Sequence, residues 1–262
     1  MLVADNRLMN RHLLKISDSH DHVTHDLVIA THGFLSNGKS LDPIADSLTS
    51  AGYETLVWDY PSLRGSILSH ASRLTTVIQQ ALGRPDIGRI HFVTHSMGGI
   101  ITRAAIAQSR METIAKKRCG RLLMMAPPNR GSWLTRLPLG PFANRFPQLA
   151  ELSENESSLV NQLPRPHRID VGVIAAQKDW IVSQSATHLD GQADHVVIPT
   201  SHQRLVQHPL AIEMTIRFLE EGRLQAVAET DTAAMTIPIR PLTEAGDSVQ
   251  SQHTATDRRR AA

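Results

Sequence analysis

The sequence predicts an α/β protein: a mostly parallel sheet of about six strands, with helices on both faces and a small cap. Three observations lead there. Apolar runs of strand length alternate with segments of helical period through most of the 262 residues. The strand runs are apolar at successive positions rather than at every second one, as a parallel sheet covered on both faces requires. The alternation lapses once, over residues 129–166, a stretch rich in Pro, Asn, Gly and Ser that is too long for an ordinary connection.

In chain order, residues 1–26 are polar and His-rich (His12, His20, His22, His25), with no recognisable ligand spacing, and read as a solvated leader. Leu27–Thr31 is the first strand and runs into His32-Gly33-Phe34. A helix follows, with Leu41, Ile44, Ala45 and Leu48 on one face and Gly52 as its stop. Glu54–Tyr60 is the second strand, broken by Pro61. Residues 66–82 carry Ile67, Leu68, Ala71, Leu74, Val77, Ile78 and Ala81 on one stripe, closed by Gly83 and Pro85. Ile90–His95 is a buried strand, and Gly98–Ala107 is small and apolar enough for a buried helix. Arg121–Ala126 is a further strand, ended by Pro127-Pro128. After the lapse the sheet resumes with Ile169–Ala175 and Asp194–Pro199. A last helix opens at Pro209, a good first-turn residue, and runs to Glu221 before Gly222. Residues 223–262 lose all periodicity, end in Arg258-Arg259-Arg260-Ala261-Ala262, and read as a disordered tail. The predicted organisation is a leader over 1–26, one domain over 27–222 with a cap at about 129–166, and the tail.

Composition narrows the class of function. The formal net charge is +2, and no basic run is coupled to aromatics, so nucleic-acid binding is not expected. The one cysteine, Cys119, excludes an internal disulfide framework and a Cys-based zinc cluster. Neither a metal-ligand cluster nor a Gly-rich phosphate loop is found, so no cofactor or metal is expected. With no signal-peptide pattern in residues 1–26 and no apolar stretch long enough to span a bilayer, the expectation is a cytoplasmic protein.

The chemistry centres on Val93-Thr94-His95-Ser96-Met97-Gly98-Gly99. A serine between a buried strand and a helix, with glycine two residues on, is the nucleophile-elbow pattern. So tight a turn forces the serine into a strained backbone and demands small neighbours. It also lifts the hydroxyl to a helix N-terminus, where N–H groups meet developing negative charge. Thr94 stands where the G-x-S-x-G pattern has its first glycine. Such a turn could also be a plain link between strand and helix.

A serine hydroxyl needs a base within reach and a third group to orient that base. Nucleophile, acid and base follow in that order in elbow enzymes, each after a strand. Asp179 follows the strand at 169–175 and His202 the strand at 194–199; Asp190 is the rival acid, placed later in its loop beside Gly191. His195 sits at the start of its strand, the wrong end of the sheet, and His208 precedes Pro209 at a helix start, which leaves His202 as the base. The expected oxyanion donors are the main-chain N–H groups of Met97 and Phe34, with Gly33 letting the backbone approach a substrate. His32 reads as an anchor of that loop. In the cap, Trp133, Leu134, Leu137, Leu139, Phe142 and Phe146 are too apolar for a free loop, and Pro138, Pro141 and Pro147 prevent one long helix. Phe142 and Phe146 are the candidate substrate contacts, against the alternative that the cap only covers a sheet edge.

The segments His32-Gly33-Phe34, Asp59-Tyr60-Pro61-Ser62, His91–Gly99, Ala126–Ser132 and Asp194–His202 together resemble bacterial serine esterases and lipases of the α/β-hydrolase superfamily. They resemble most its compact lipase-like branch, which carries Pro-Pro-Asn-x-Gly-Ser, here Pro127–Ser132, and in which threonine also replaces the first elbow glycine. The resemblance covers about residues 27–222. It implies the α/β-hydrolase fold without the usual first two antiparallel strands, and Ser96, Asp179 and His202 as triad. The acid loop departs from it: relatives resemble Asp-Gly-x-Val, and this chain has Asp179-Trp180-Ile181-Val182. The expected activity is hydrolysis of a small-molecule or lipid ester through an acyl-serine. Acyl transfer or thioester cleavage by the same residues, and a catalytically silent binding module on this fold, are the alternatives.

Overall fold

The computed structural model describes residues 24–109, 111, 118–136 and 146–226. Six strands form one sheet: β1 (His25–Thr31), β2 (Glu54–Trp58), β3 (Ile87–His95), β4 (Cys119–Met125), β5 (Val171–Lys178) and β6 (Asp194–Ser201). Their spatial order is β2-β1-β3-β4-β5-β6, and every neighbouring pair is parallel. The continuous apolar runs have the consequence expected of them. Leu27, Ile29, Phe92, Leu122, Met124 and Val173 face one core. Their sequence neighbours Val28, Ala30, Val93, Leu123, Met125 and Ile174 face a second core on the other side. Successive strand residues point to opposite faces, so a sheet buried on both sides needs apolar residues at every position.

The first core lies under α2 (Ile67–Leu82) and α3 (Met97–Ser109), the second under α1 (Asp42–Ser50) and α7 (Pro209–Glu221). Each helix boundary has a local cause. Pro43 sits in the first turn of α1, the Ser66 hydroxyl accepts the Ser69 N–H at the start of α2, and α7 starts on Pro209. Gly222 ends α7 in the left-handed conformation at φ 80°. The strands begin and end a few residues from the sequence-based expectation: β1 starts at His25 rather than Leu27, and β5 spans 171–178 rather than 169–175.

From β1 the chain crosses to β2 on one side, and from β3 it crosses to β4 on the other. The loops after β1 and β3 therefore part at their carboxyl ends and leave a crevice, the usual place for a ligand in an open α/β sheet. The described part of the segment 129–166 holds a 3₁₀ turn at Trp133–Arg136 and the short helices α4 (Pro147–Glu151) and α5 (Leu159–Gln162), with α6 (Gln184–Thr187) following β5; Leu134, Leu149 and Leu152 reach that end of the sheet. The fully buried Gln148 donates to the Ser62 carbonyl at 3.0 Å, and Glu151 accepts the Ile67 N–H at the start of α2, where a carboxylate complements the helix dipole. Residues 1–23 of the expected leader, Val227–Ala262 of the tail and residues 137–145 of the cap lie outside the described residues. Among the described residues no helix is long and apolar enough to cross a membrane.

Candidate active site

Strand register assembles the site two residues at a time. Thr31 pairs with Thr94 at the end of β1 and β3. Two steps farther, Gly33 faces Ser96 so closely that a Cβ on Gly33 would lie 2.9 Å from Ser96 Cβ. Lys178 pairs with Ser201 at the end of β5 and β6. One step farther, the His202 imidazole Nδ1 donates to Asp179 Oδ2 at 2.6 Å.

Ser96 has φ 53°, in the left-handed region that a non-glycine residue enters at a cost on the order of 1–3 kcal/mol. Two bonds hold it there: its N–H donates to the Met125 carbonyl at 2.8 Å, and its carbonyl accepts the Gly99 N–H at 3.0 Å. Gly98 is required by close approach, since a Cβ there would lie 2.4 Å from the carbonyl oxygens of Thr31 and His32. Thr94, the departure from the elbow pattern, is buried with its hydroxyl donating to the Leu123 carbonyl at 3.1 Å. Its one polar atom is satisfied, so the threonine costs the turn nothing in lost hydrogen bonding.

Asp179 is closed to water, its side chain 2% exposed. While Oδ2 takes the His202 proton, Oδ1 accepts the N–H groups of Ile181 and Val182 at 2.8 and 2.9 Å. That local turn, in which an aspartate binds the backbone just ahead of it, fixes the carboxylate without help from a glycine. Trp180 keeps an ordinary negative φ, so the turn needs no glycine at this position, and its side chain is 82% exposed. Asp190, the rival acid, is also 82% exposed and pairs with Arg130 at 3.1 Å.

A cavity of about 260 Å³ opens beside these groups, and Ser96, Met97, Phe34 and His202 all line it. Ser96 and His202 are both buried, at 7% and 6% exposure. Met97 opens α3, and its N–H is one of those at a helix start that lack an intrahelical acceptor. Phe34 follows His32, whose fully buried ring stacks on Tyr60 at 4.3 Å and lies 2.9 Å from Asp59. The Tyr60 hydroxyl donates to the His32 carbonyl at 2.9 Å. His32 thus anchors the loop and does not reach the cavity.

Of the apolar residues expected over the site from the segment 129–166, Leu134 is on the cavity wall, but the two phenylalanines singled out as substrate contacts are not placed there. Leu134, Leu149 and Leu152 line it, joined by Ile181, Val182 and Val206. Phe146 is not on the wall; it meets the Phe34 ring edge-on at 6.0 Å and stands behind it. A side chain's aromatic character was the wrong signal here, because exposure to the cavity depends on which turn of the cap faces down. Phe142 lies outside the described residues. Sequence reasoning also passed over His95, which lines the cavity next to Ser96.

At the opposite end of the sheet, His25, Glu54 and Asp86 bring potential ligand atoms within 4.8 Å of one another. The Arg84 guanidinium sits among them, donating to both Glu54 and Asp86, and fills the place a cation would take.

The sequence profile described as the Alpha/beta hydrolase family matches residues 27–242. No curated protein matches the chain. Among solved structures, the propeptide form of Bacillus licheniformis lipase BlEst2 is similar at a TM-score of 0.61 with 14% identity, over 78% of this chain and 52% of that one. Phospholipase PlaB from Legionella pneumophila is similar at 0.59 with 18% identity, over 74% and 60%. The metagenomic carboxyl esterase MGS0156 is similar at 0.54 with 16% identity, over 70% and 66%. The chain therefore spans about half the length of the first of these, and at such identities the likeness is one of fold. The profile match covers most of the chain and agrees with the six-stranded parallel sheet: the protein belongs to the alpha/beta hydrolase family.

Proposed function

We propose that this protein hydrolyses carboxylic esters through an acyl-serine intermediate on Ser96. The observation that carries the reading is the 2.6 Å Asp179–His202 hydrogen bond, which orients an imidazole on the wall of the apolar cavity that Ser96 also lines. Residues 27–222 are then the catalytic domain and residues 129–166 its cap.

In this reading His202 Nε2 takes the Ser96 hydroxyl proton as Oγ attacks the ester carbonyl, and Asp179 stabilises the imidazolium that forms. The carbonyl oxygen becomes an oxyanion and accepts the N–H groups of Met97 and Phe34; each such donor contributes on the order of 3 kcal/mol to the transition state. The tetrahedral intermediate collapses, the C–O bond to the alcohol breaks, and His202 returns the proton to the leaving oxygen. Water, deprotonated by His202, then releases the acid and regenerates Ser96. The leucines of the cap suit an apolar acyl group. The names of the similar structures (lipase, phospholipase, carboxyl esterase) point to the same class.

The test is a fluorophosphonate probe together with nitrophenyl esters of increasing chain length. Labelling is expected at Ser96, and Ser96→Ala is expected to abolish both labelling and hydrolysis while the fold survives. Retention of more than about one per cent of the activity would place the nucleophile elsewhere, and an unlabelled serine would favour a silent binding module.

A further inference from the structure

We infer that His95 is a positioning residue, the tie that holds the base-bearing turn after β6 against the nucleophile-bearing end of β3. The inference rests on the proposed roles of Ser96 and His202. Two strands, β4 and β5, separate β3 from β6 in the sheet, so strand pairing alone does not bring His202 to Ser96. The turn after β6 must cross above both. It is fastened at the far side by a hydrogen bond between His95 Nε2 and the His202 main-chain carbonyl, 3.0 Å long and buried.

A carbonyl oxygen only accepts, so Nε2 carries the proton and His95 is the Nε2–H tautomer. The two rings sit 4.8 Å apart, tilted at 51°. His95 is shut in by the Gly33 turn, where a Cβ would lie 3.3 Å from its Nδ1 and another 3.3 Å from its carbonyl oxygen. Burial, with the His202 ring close by, pushes the His95 imidazole down to about 3, against the pull of the His202 carbonyl and Asp179 and with a further push from His32. His95 is therefore neutral throughout the working range of an esterase. That matters for the ring it holds: a second positive charge at this distance would oppose the imidazolium His202 becomes in each step.

Glutamine places an amide N–H near the position of histidine Nε2, whereas phenylalanine keeps the ring's volume and donates nothing. The experiment compares His95→Gln and His95→Phe with the wild type. For each it records kcat and KM on a nitrophenyl ester, the thermal midpoint, and the low-field NMR signal of the proton that His202 shares with Asp179. In His95→Phe, kcat is expected to fall about tenfold or more with KM little changed, and the low-field signal is expected to broaden or vanish. His95→Gln is expected to recover most of kcat and the signal. Equal losses in the two variants that follow the thermal midpoint would reduce His95 to a core residue and overturn the inference, as would full kcat in His95→Phe. The NMR signal needs no turnover: if the wild type is not labelled at Ser96 but the signal still depends on the His95 donor, the proposed function fails and the tie stands.

Discussion

Arg103 Nη1 donates to Asn129 Oδ1 at 3.0 Å in the interior of the protein, and no carboxylate pairs with this guanidinium among the described residues. Its Nη2 donates to the Leu163 carbonyl at 2.9 Å, and Asn129 Nδ2 donates to the Thr187 carbonyl at 2.8 Å. Arg103 stands about two turns along α3 from Ser96; its side chain joins α3 to the loop after β4 and to the Leu163 carbonyl, and Asn129 carries the link on to the turn at α6. Burial pulls the guanidinium down to about 10, still far enough above neutrality to keep its charge.

Arg103→Met is expected to destabilise the protein by about 2–4 kcal/mol, because it strands buried acceptors that only a charged donor now satisfies. Arg103→Lys should recover little of this, since one ammonium group cannot span the Asn129 and Leu163 oxygens as the planar fork does. Urea unfolding midpoints measure both. A methionine variant as stable as the wild type would show that the neighbouring segments hold together without this tie.

The acid assignment separates two aspartates by what they touch. Asp179→Asn leaves the His202 ring without its carboxylate and is expected to lower kcat by about three to four orders of magnitude. Asp190→Asn loses one exposed pair with Arg130 and is expected to change kcat by less than about twofold. Steady-state rates on one ester suffice; the reverse ranking would make Asp190 the acid.

The cap makes a prediction about chain length. Each acyl methylene buried against the cavity wall is worth about 0.8 kcal/mol. Leu149→Ala and Leu152→Ala, which strip apolar surface from that wall, are expected to lower kcat/KM on long-chain esters progressively more than on acetate esters. Phe146→Ala should do so more weakly, through the Phe34 ring it supports. A chain-length profile unchanged in both leucine variants would leave the cap as a cover alone.

Stability should depend on pH through Asp26, at the opposite end of the sheet. Burial would raise its carboxyl, but the His91 ring 3.5 Å away and the Arg89 side chain and N–H outweigh that and hold it well below the usual carboxylate range. For a depressed carboxylate the stabilisation is complete above the unfolded value, near 3.9, and is lost as the pH falls towards the folded one. The stability gap between wild type and Asp26→Asn is therefore expected to be widest at neutral pH and to narrow below about pH 4. A gap that stays constant between pH 7 and pH 3 would mean that Asp26 acts through shape rather than charge.

The sequence by itself determined the alternation of strands and helices, the two-sided burial of the sheet, and the elbow at Ser96. These follow from periodicity and from small residues at fixed offsets, which are properties of near neighbours along the chain. It also ordered Ser96, Asp179 and His202 at the carboxyl ends of their strands, since a parallel sheet brings all those ends to one side. What only the tertiary structure decided depends on contacts between distant segments and on the direction of each side chain. The β5–β6 register set Asp179, rather than Asp190, beside His202. The crossing of the last turn over β4 and β5 brought the His202 carbonyl to His95, a residue whose burial and tautomer no local pattern announces. The seating of residues 146–152 put Leu149 and Leu152 on the cavity wall and Phe146 behind it against Phe34, with Glu151 accepting the Ile67 N–H at the start of α2; which side chain faces the cavity depends on these long-range contacts.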